Sequence, residues 1–210
     1  MLIGMTKTPG YSDLGFIENE LVELRQLLSS DIVTTVVEKA TSETVLSMLN
    51  SYQIIHLACH GSCSNDDPSQ SKLLLQDWQE APLTVSQLAA QNPPSSQFAY
   101  LSACDTAITR NLHLLDESIH LASALQLAGY PSVIGTLWEI RDENSVTVAR
   151  DVYAWMLGQG LHKYLDTTAS AEGLHRAARD LRERTRTTVG IKQKGPSDPL
   201  VWAPYIHFGV

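Results

Sequence analysis

Two reactive side chains directly follow apolar stretches that are typical of buried strands. His60 comes after the stretch IIHLAC, residues 54–59, and Cys104 comes after the stretch FAYLSA, residues 98–103. If the two stretches are neighbouring parallel strands, the imidazole and the thiol emerge at the same edge of the sheet. A thiol near an imidazole ionises more readily, and the thiolate is the form that attacks. The two residues are therefore a candidate nucleophile and general acid–base pair.

Gly61 and Cys104 also supply candidate donors for an oxyanion hole. Because glycine has no Cβ, the N–H group of Gly61 can approach a substrate carbonyl closely, beside the N–H group of Cys104. One such donor typically contributes about 3–4 kcal/mol to transition-state stabilisation. Each residue also has a structural explanation, since a cysteine among small residues often only packs and a histidine before a glycine often lies in a loop. Spacing alone leaves both explanations open.

The elements that must position these residues alternate between strands and helices. Helices are predicted at 16–29, 43–50, 84–91, 116–129, 142–157 and 170–187. Strands are predicted at 2–5, 32–37, 52–59, 97–104, 132–138 and 202–209, with an edge strand at 72–78 and a polar loop at 60–71. This alternation predicts an α/β fold with a mostly parallel sheet covered by helices on both faces.

Composition limits the class of protein. A chain of 210 residues with 43% hydrophobic content suits one globular domain that is stable without disulfides or metals. Three cysteines are too few for a disulfide framework, and their odd number favours a reducing compartment, so a cytoplasmic location is expected. The chain begins almost inside a strand, and we expect a domain excised from a longer protein.

Charge and hydropathy make nucleic acids and membranes unfavourable partners. The net charge of −8 makes nucleic acid a poor partner, because phosphate binding needs a concentrated positive face. The basic stretch at 176–188 is predicted to be a solvated helix face. No apolar run approaches the roughly 20 residues of a membrane span, and the N-terminus does not resemble a signal peptide, so no membrane association is expected.

Five stretches follow, in order, the pattern of CHAT domains. They read YQIIHLACHG, FAYLSACDTA, DESIHLASALQLAGYPSVIGTLWEIRDENS, AEGLHRAARDL and DPLVWAPYIHFG. The sequence therefore resembles caspase-like cysteine proteases of the clan that contains caspases, separases and gingipains. The resemblance covers nearly the whole chain, and it implies one domain over residues 1–210 with a caspase-like three-layer sandwich.

The same resemblance implies roles for the candidate residues. Cys104 would be the nucleophile that attacks a peptide carbonyl, and His60 would donate a proton to the leaving amine. The N–H groups of Gly61 and Cys104 would bind the oxyanion. The histidine of the family lies in an ATHG-like context, whereas this chain reads LACHG, so Cys59 is expected to point away from the site and into the core.

Four further residues are candidates for substrate binding. Asp105 follows the nucleophile, and it would either line the first specificity pocket or bond to the local backbone. Trp138 is either a wall of the substrate groove or a buried aromatic at a strand end. Glu139 and Asp142 either select a basic residue before the cleaved bond or favour the start of the next helix through its dipole.

No metal or other cofactor is expected. Cys59, His60 and Cys63 invite a zinc interpretation, but their spacing is loose and no second ligand pair follows. The expected partners are a protein substrate and an upstream repeat module or activating partner, because the family often carries helical repeats before this domain and often acts in defence or cell death. The alternative is a catalytically idle adaptor or interaction module on the same fold.

Overall fold

A computed structural model describes residues 1–28, 32–62, 64, 66–102, 115–138, 140, 142–186, 188–189, 193–194 and 197–209. The α/β architecture predicted from the sequence is confirmed. One six-stranded sheet has the order β11-β8-β7-β3-β1-β2, and only β11 runs antiparallel to its neighbour. Its strands are β1 (Leu2–Gly4), β2 (Val36–Glu38), β3 (Ile54–Ala58), β7 (Phe98–Leu101), β8 (Ser132–Thr136) and β11 (Tyr205–Gly209).

Two smaller sheets stand beside the central one. The first is antiparallel and contains β4 (His60–Ser62), β5 (Lys72–Leu74) and β6 (Leu83–Thr84). The second pairs β9 (Thr188–Val189) with β10 (Gln193–Lys194). The helices are α1 (Ile17–Leu27), α2 (Ser42–Leu49), α3 (Val85–Ala89), α4 (Leu115–Leu127), α5 (Asp142–Gln159), α6 (Ser170–Arg184) and α7 (Pro199–Trp202).

Each face of the central sheet carries its own hydrophobic core. Alternation along the strands separates them, because successive side chains of a strand point to opposite faces. Leu2 and Phe98 pack under α1, α5 and α6, whereas Ile3 and Ala99 pack under α2, α3 and α4. This arrangement is the three-layer sandwich that the alternating pattern predicts.

Local sequence signals fix the ends of several helices. The side chain of Thr41 accepts a hydrogen bond from the amide of Thr44 at the start of α2. Thr84 and Gln87 form a capping box at the start of α3. Gly129 follows α4 with a φ of +101°, a conformation that favours glycine and ends the helix.

Three predicted strands differ clearly in the structure. The edge strand predicted at 72–78 ends at Leu74, and as β5 it lies between β4 and β6 because both offer it antiparallel partners. The strand predicted at 32–37 is limited to Val36–Glu38, because β2 is an edge strand and its partner β1 is only three residues long. The strand predicted at 202–209 begins only at Tyr205. Before it the chain forms α7, since the carboxylate of Asp198 caps the amide of Leu200 and a proline opens the helix.

The predicted polar loop at 60–71 is wrong in its first part. His60–Ser62 forms β4, because β5 offers an antiparallel partner in the tertiary fold. Between the predicted helix at 170–187 and the predicted strand at 202–209, the described residues include β10 and the start of α7. The basic stretch is the exposed face of α6 as predicted, and Arg176 and Arg184 form ion pairs there with Glu172 and Asp151. Among the described helices, none is long and apolar enough to cross a bilayer.

Candidate active site

The strands that precede His60 and Cys104 are parallel neighbours in the central sheet. The register pairs Ile54 with Phe98 at one end and Leu57 with Leu101 at the other. His60 and Cys104 each follow the last of these paired residues by three positions in the sequence. The main-chain N–H of Ser102 donates a hydrogen bond of 2.9 Å to the carbonyl oxygen of Leu57 and so extends the pairing past β7. Cys104 itself lies outside the described residues.

His60 is held by the loop between β1 and α1. Its Nε2 atom lies 2.8 Å from the main-chain carbonyl oxygen of Ser12. Because a carbonyl oxygen only accepts, Nε2 carries the hydrogen in this bond. The imidazole is fully buried, and the ring of Tyr11 packs on it with centroids 5.3 Å apart.

The same loop is fixed to the rest of the domain by Trp78. Tyr11 meets the edge of the Trp78 ring with centroids 5.5 Å apart. The indole Nε1–H of Trp78 donates a hydrogen bond of 2.9 Å to the carbonyl oxygen of Pro9. These contacts orient the loop segment that in turn orients His60.

Gly61 faces the helical layer rather than open space. A Cβ at this position would lie 3.4 Å from Cδ1 of Leu121 on α4 and 3.9 Å from the main-chain oxygen of Lys72. Both are ordinary van der Waals distances, so β4 lies close against α4 without a clash that would itself require glycine. The role of the Gly61 N–H group in an oxyanion hole stays a prediction.

A buried polar cluster lies on the other face of the sheet, where α1 crosses β3 and β7. The carboxylate of Glu20 is 1% exposed, and its Oε1 atom lies 2.8 Å from Nε2 of His56. Its Oε2 atom accepts hydrogen bonds from the hydroxyls of Ser102, at 3.0 Å, and Ser145, at 3.1 Å. Burial, and secondarily the charge of Glu20, raise the pKa of the Tyr153 hydroxyl.

The structure describes two of the four residues that the sequence suggested for substrate binding. Trp138 follows β8 and is half-buried, and its indole Nε1–H donates a hydrogen bond of 3.1 Å to the carbonyl oxygen of Leu200. Asp142 is the first residue of α5, the position that a helix-start role requires. Asp105 and Glu139 lie outside the described residues. The substrate contacts of all four stay predictions.

Of the two cysteines other than Cys104, the structure describes Cys59. Cys59 is fully buried in the core with Leu57 and Leu73, so the prediction that it points into the core is confirmed. Cys63 lies outside the described residues. Within the ranges that the structure describes, no group of three or more histidine, cysteine, aspartate or glutamate side chains could hold a metal ion.

Sequence reasoning missed Tyr11, Ser12 and Glu20. A signal for Glu20 was present, because it lies on the apolar stripe of α1 between Ile17 and Leu24, where a carboxylate needs a buried partner. The role of Ser12 had no such signal, because its main-chain carbonyl makes the contact and every residue has one.

Comparison with known proteins adds a family and a fold. The family model described as the CHAT domain matches residues 3–210. The crystal structure of the Arg specific cysteine proteinase gingipain R is similar, with a TM-score of 0.52, 12% sequence identity, and coverage of 87% of this chain and 42% of that chain. The chain thus spans less than half the length of the gingipain, and the likeness shows a shared caspase-like fold. No curated protein sequence matches the chain.

Proposed function

Because the chain belongs to the CHAT domain family, a family of caspase-like cysteine proteases, we propose that it is a cysteine endopeptidase acting on a specific protein. In this proposal Cys104 is the nucleophile and His60 is the general acid–base group. The register between β3 and β7 supports this proposal most directly. Leu57 pairs with Leu101, and His60 and Cys104 each follow one of these residues by the same number of positions in the sequence. Carboxyl ends of neighbouring parallel strands deliver side chains to one edge.

The reaction follows from the chemistry of these groups. The thiolate of Cys104 attacks the peptide carbonyl carbon, and the carbonyl oxygen becomes an oxyanion that the N–H groups of Gly61 and Cys104 stabilise. The C–N bond then breaks as Nδ1 of His60 gives its proton to the leaving amine, which yields a thioester. Water, deprotonated by His60, attacks the thioester, releases the acid and restores the thiol.

The hydrogen bond from His60 to Ser12 supports the assignment of proton transfer to Nδ1. Because Nε2 donates to the carbonyl oxygen of Ser12, the imidazole is oriented and Nδ1 is the nitrogen that can accept the thiol proton. The same bond favours the imidazolium that forms during the reaction, since a carbonyl dipole points at it.

The proposal includes regulation by an upstream module or an activating partner, in a cytoplasmic defence or cell-death system. The complete burial of His60 supports this part, because a buried imidazole must become accessible before it can reach a substrate amine. Probe labelling should therefore be slower for this chain alone than for the chain joined to an upstream module or mixed with an activating partner. Equal labelling rates would contradict regulation of this kind.

Labelling with an electrophilic peptide probe tests the catalytic proposal. We expect labelling to disappear in Cys104→Ala, to fall about 100-fold or more in His60→Ala, and to stay unchanged in Cys63→Ala. Thermal unfolding of each variant checks that the fold is intact. Labelling that persists in Cys104→Ala, or that follows Cys63, would reject the dyad.

An idle adaptor is the second candidate function, and the burial of His60 also favours it. The two candidates differ in turnover. A peptide library incubated with the chain and its activating partner should yield cleaved products that Cys104→Ala does not produce. Absence of cleavage together with undiminished partner binding by Cys104→Ala would favour the adaptor.

A further inference from the structure

The small sheet β4–β5–β6 presents three polar side chains in a row on one face. The register pairs Ser62 with Lys72 and Lys72 with Thr84. Side chains of directly paired residues in antiparallel strands project to the same side. The opposite face carries Leu73 and Leu83, which are fully buried in the core. The polar row therefore lies on the face turned away from the core.

An open cleft of about 300 Å³ lies over this row. Its lining is mostly polar, and it comprises Ser62, Ser64, Gln70, Lys72, Pro82 and Thr84. Among the described residues of this lining, the only charged group is the ammonium of Lys72. A cleft of this composition suits a small anionic group.

Two hydrogen-bond donors of the cleft are unused. The ammonium of Lys72 and the hydroxyl of Ser62 have no hydrogen-bond or ion-pair partner in the part of the chain that the structure describes. The hydroxyl of Thr84 is already used in the capping box of α3. Nζ of Lys72 lies 5.4 Å from the centroid of the Trp78 ring, which keeps the side chain near the cleft by a cation–π contact.

The carboxylates nearest to Lys72 in the sequence do not neutralise it. Asp77 accepts hydrogen bonds from the amide of Ser42 instead. Asp66 and Asp67 lie exposed on the loop between β4 and β5, and neither forms an ion pair with Lys72. Hydrogen bonds from the side chain and the amide of Ser69 lower the pKa of Asp67, so this carboxylate is engaged within its own loop. The positive charge of the cleft is therefore available to a ligand.

The cleft is close to the candidate catalytic histidine. Ser62 lies two residues after His60 on the same face of β4, which corresponds to about 7 Å along the strand. The ring of Tyr11 packs on His60 at one side and on Trp78 at the other, and Trp78 carries Lys72. A chain of side-chain contacts thus connects His60 to Lys72 in the cleft.

We propose that this cleft is a subsite for an acidic side chain of the protein substrate, within the first three residues after the cleaved bond. The inference rests on the proposed function, in which His60 protonates the leaving amine and therefore lies beside the segment after the cleaved bond. An extended substrate advances about 3.3 Å per residue, so 7 Å corresponds to roughly two residues. Lys72 binds the carboxylate by charge, and Ser62 adds a hydrogen bond.

Cleavage of matched peptides tests the subsite. The peptides are identical except for Glu, Gln or Lys at each of the three positions after the cleaved bond, and kcat/KM is measured for each. We expect a preference of about fivefold for Glu over Gln at one position, the size of a partly exposed ion pair. Lys72→Met keeps an apolar side chain on Trp78 and should remove the preference, and Lys72→Glu should reverse it in favour of Lys.

Lys163→Met is the matched control, because Lys163 is exposed after α5 and its loss changes the net charge equally. The preference for Glu should persist in this variant. A preference that survives in Lys72→Met, or that disappears in Lys163→Met, would overturn the subsite.

A binding measurement separates this inference from the proposed function. Fluorescence anisotropy reports the binding of a labelled peptide with Glu at these positions to Cys104→Ala, with and without Lys72→Met. Weaker binding after Lys72→Met, without any cleavage by the unmodified chain together with its activating partner, would support an anion-binding cleft and reject the peptidase. Equal binding by both variants, or none by either, would overturn the subsite even if the peptidase is active.

Discussion

The carboxylate of Glu20 accepts a hydrogen bond of 3.0 Å from the hydroxyl of Ser102. Glu20 lies on α1, whereas Ser102 directly follows β7 and precedes Cys104 by two residues. The same carboxylate oxygen binds Ser145 on α5. One buried oxygen therefore ties the chain segment that leads to Cys104 to two helices of the same layer.

Ser102 and Ser145 offer a matched pair of variants, because each donates one hydrogen bond to the same oxygen. Ser102→Ala and Ser145→Ala should each lower the free energy of unfolding by about 1.5–3 kcal/mol, as expected for a hydrogen bond to a charged group. Only Ser102→Ala should also slow labelling of Cys104, because only Ser102 adjoins its segment. Urea unfolding and the labelling rate provide the two measurements.

Ser102→Thr keeps the hydroxyl and should restore most of the labelling rate. Equal slowing by Ser102→Ala and Ser145→Ala would mean that the cluster acts only through overall stability. That result would contradict a positioning role for Ser102.

Much of the fold was predictable because its strands are buried and its helices are amphipathic. The stretches around β3 and β7 are mostly apolar, as parallel strands covered on both faces require. His56 interrupts the first run, and Glu20 interrupts the apolar stripe of α1. Each interruption indicates a buried polar residue, but only the tertiary structure shows that the two are partners.

The active-site surroundings were less predictable, for two physical reasons. β4 is built from the polar residues His60–Ser62, whose strand conformation depends on pairing with β5 rather than on their own preferences. Ser12 contacts His60 through a main-chain atom from 48 residues earlier in the chain. Neither the strand β4 nor the contact of Ser12 can be recognised from a pattern of side chains in the sequence.

Tyr11 is predicted to support His60 through its ring and not through its hydroxyl. The ring packs between His60 and Trp78, with centroid distances of 5.3 and 5.5 Å. Tyr11→Phe should therefore keep the peptidase rate, whereas Tyr11→Ala should lower kcat about tenfold by loosening the imidazole. Measuring kcat and KM separately distinguishes loss of orientation from loss of substrate binding. An unchanged or higher rate in Tyr11→Ala would show that Tyr11 covers His60 instead of supporting it.

Glu20 is predicted to matter for stability far more than an exposed acid of the same helix. Glu20→Gln removes a buried charge that binds His56, Ser102 and Ser145, and it should cost about 3 kcal/mol or more of unfolding free energy. Glu18→Gln changes the net charge equally at an exposed position of α1 and should stay within about 0.5 kcal/mol. Equal midpoints and slopes in urea for the two variants would contradict the importance of the cluster.

His207 is predicted to make the fold sensitive to mild acid. It lies on β11, with Nε2 at 2.9 Å from the hydroxyl of Ser132 and 3.3 Å from that of Ser170. Burial lowers the pKa of this imidazole below its ordinary value of about 6.5. As pH falls below about 6.5, the unfolded chain takes up a proton that the folded chain resists, so the free energy of unfolding decreases until the lowered pKa is reached.

His207→Gln should therefore flatten the pH dependence of stability, because glutamine keeps a polar side chain beside Ser132 but does not titrate. Urea unfolding at about pH 7.5 and about pH 5 measures the effect as the difference between the two unfolding free energies. His175→Gln is the matched control, since it removes an exposed imidazole on α6 and should leave a larger difference than His207→Gln. The prediction fails if His207→Gln loses as much stability on acidification as the unmodified chain, because the buried imidazole then contributes no differential proton uptake.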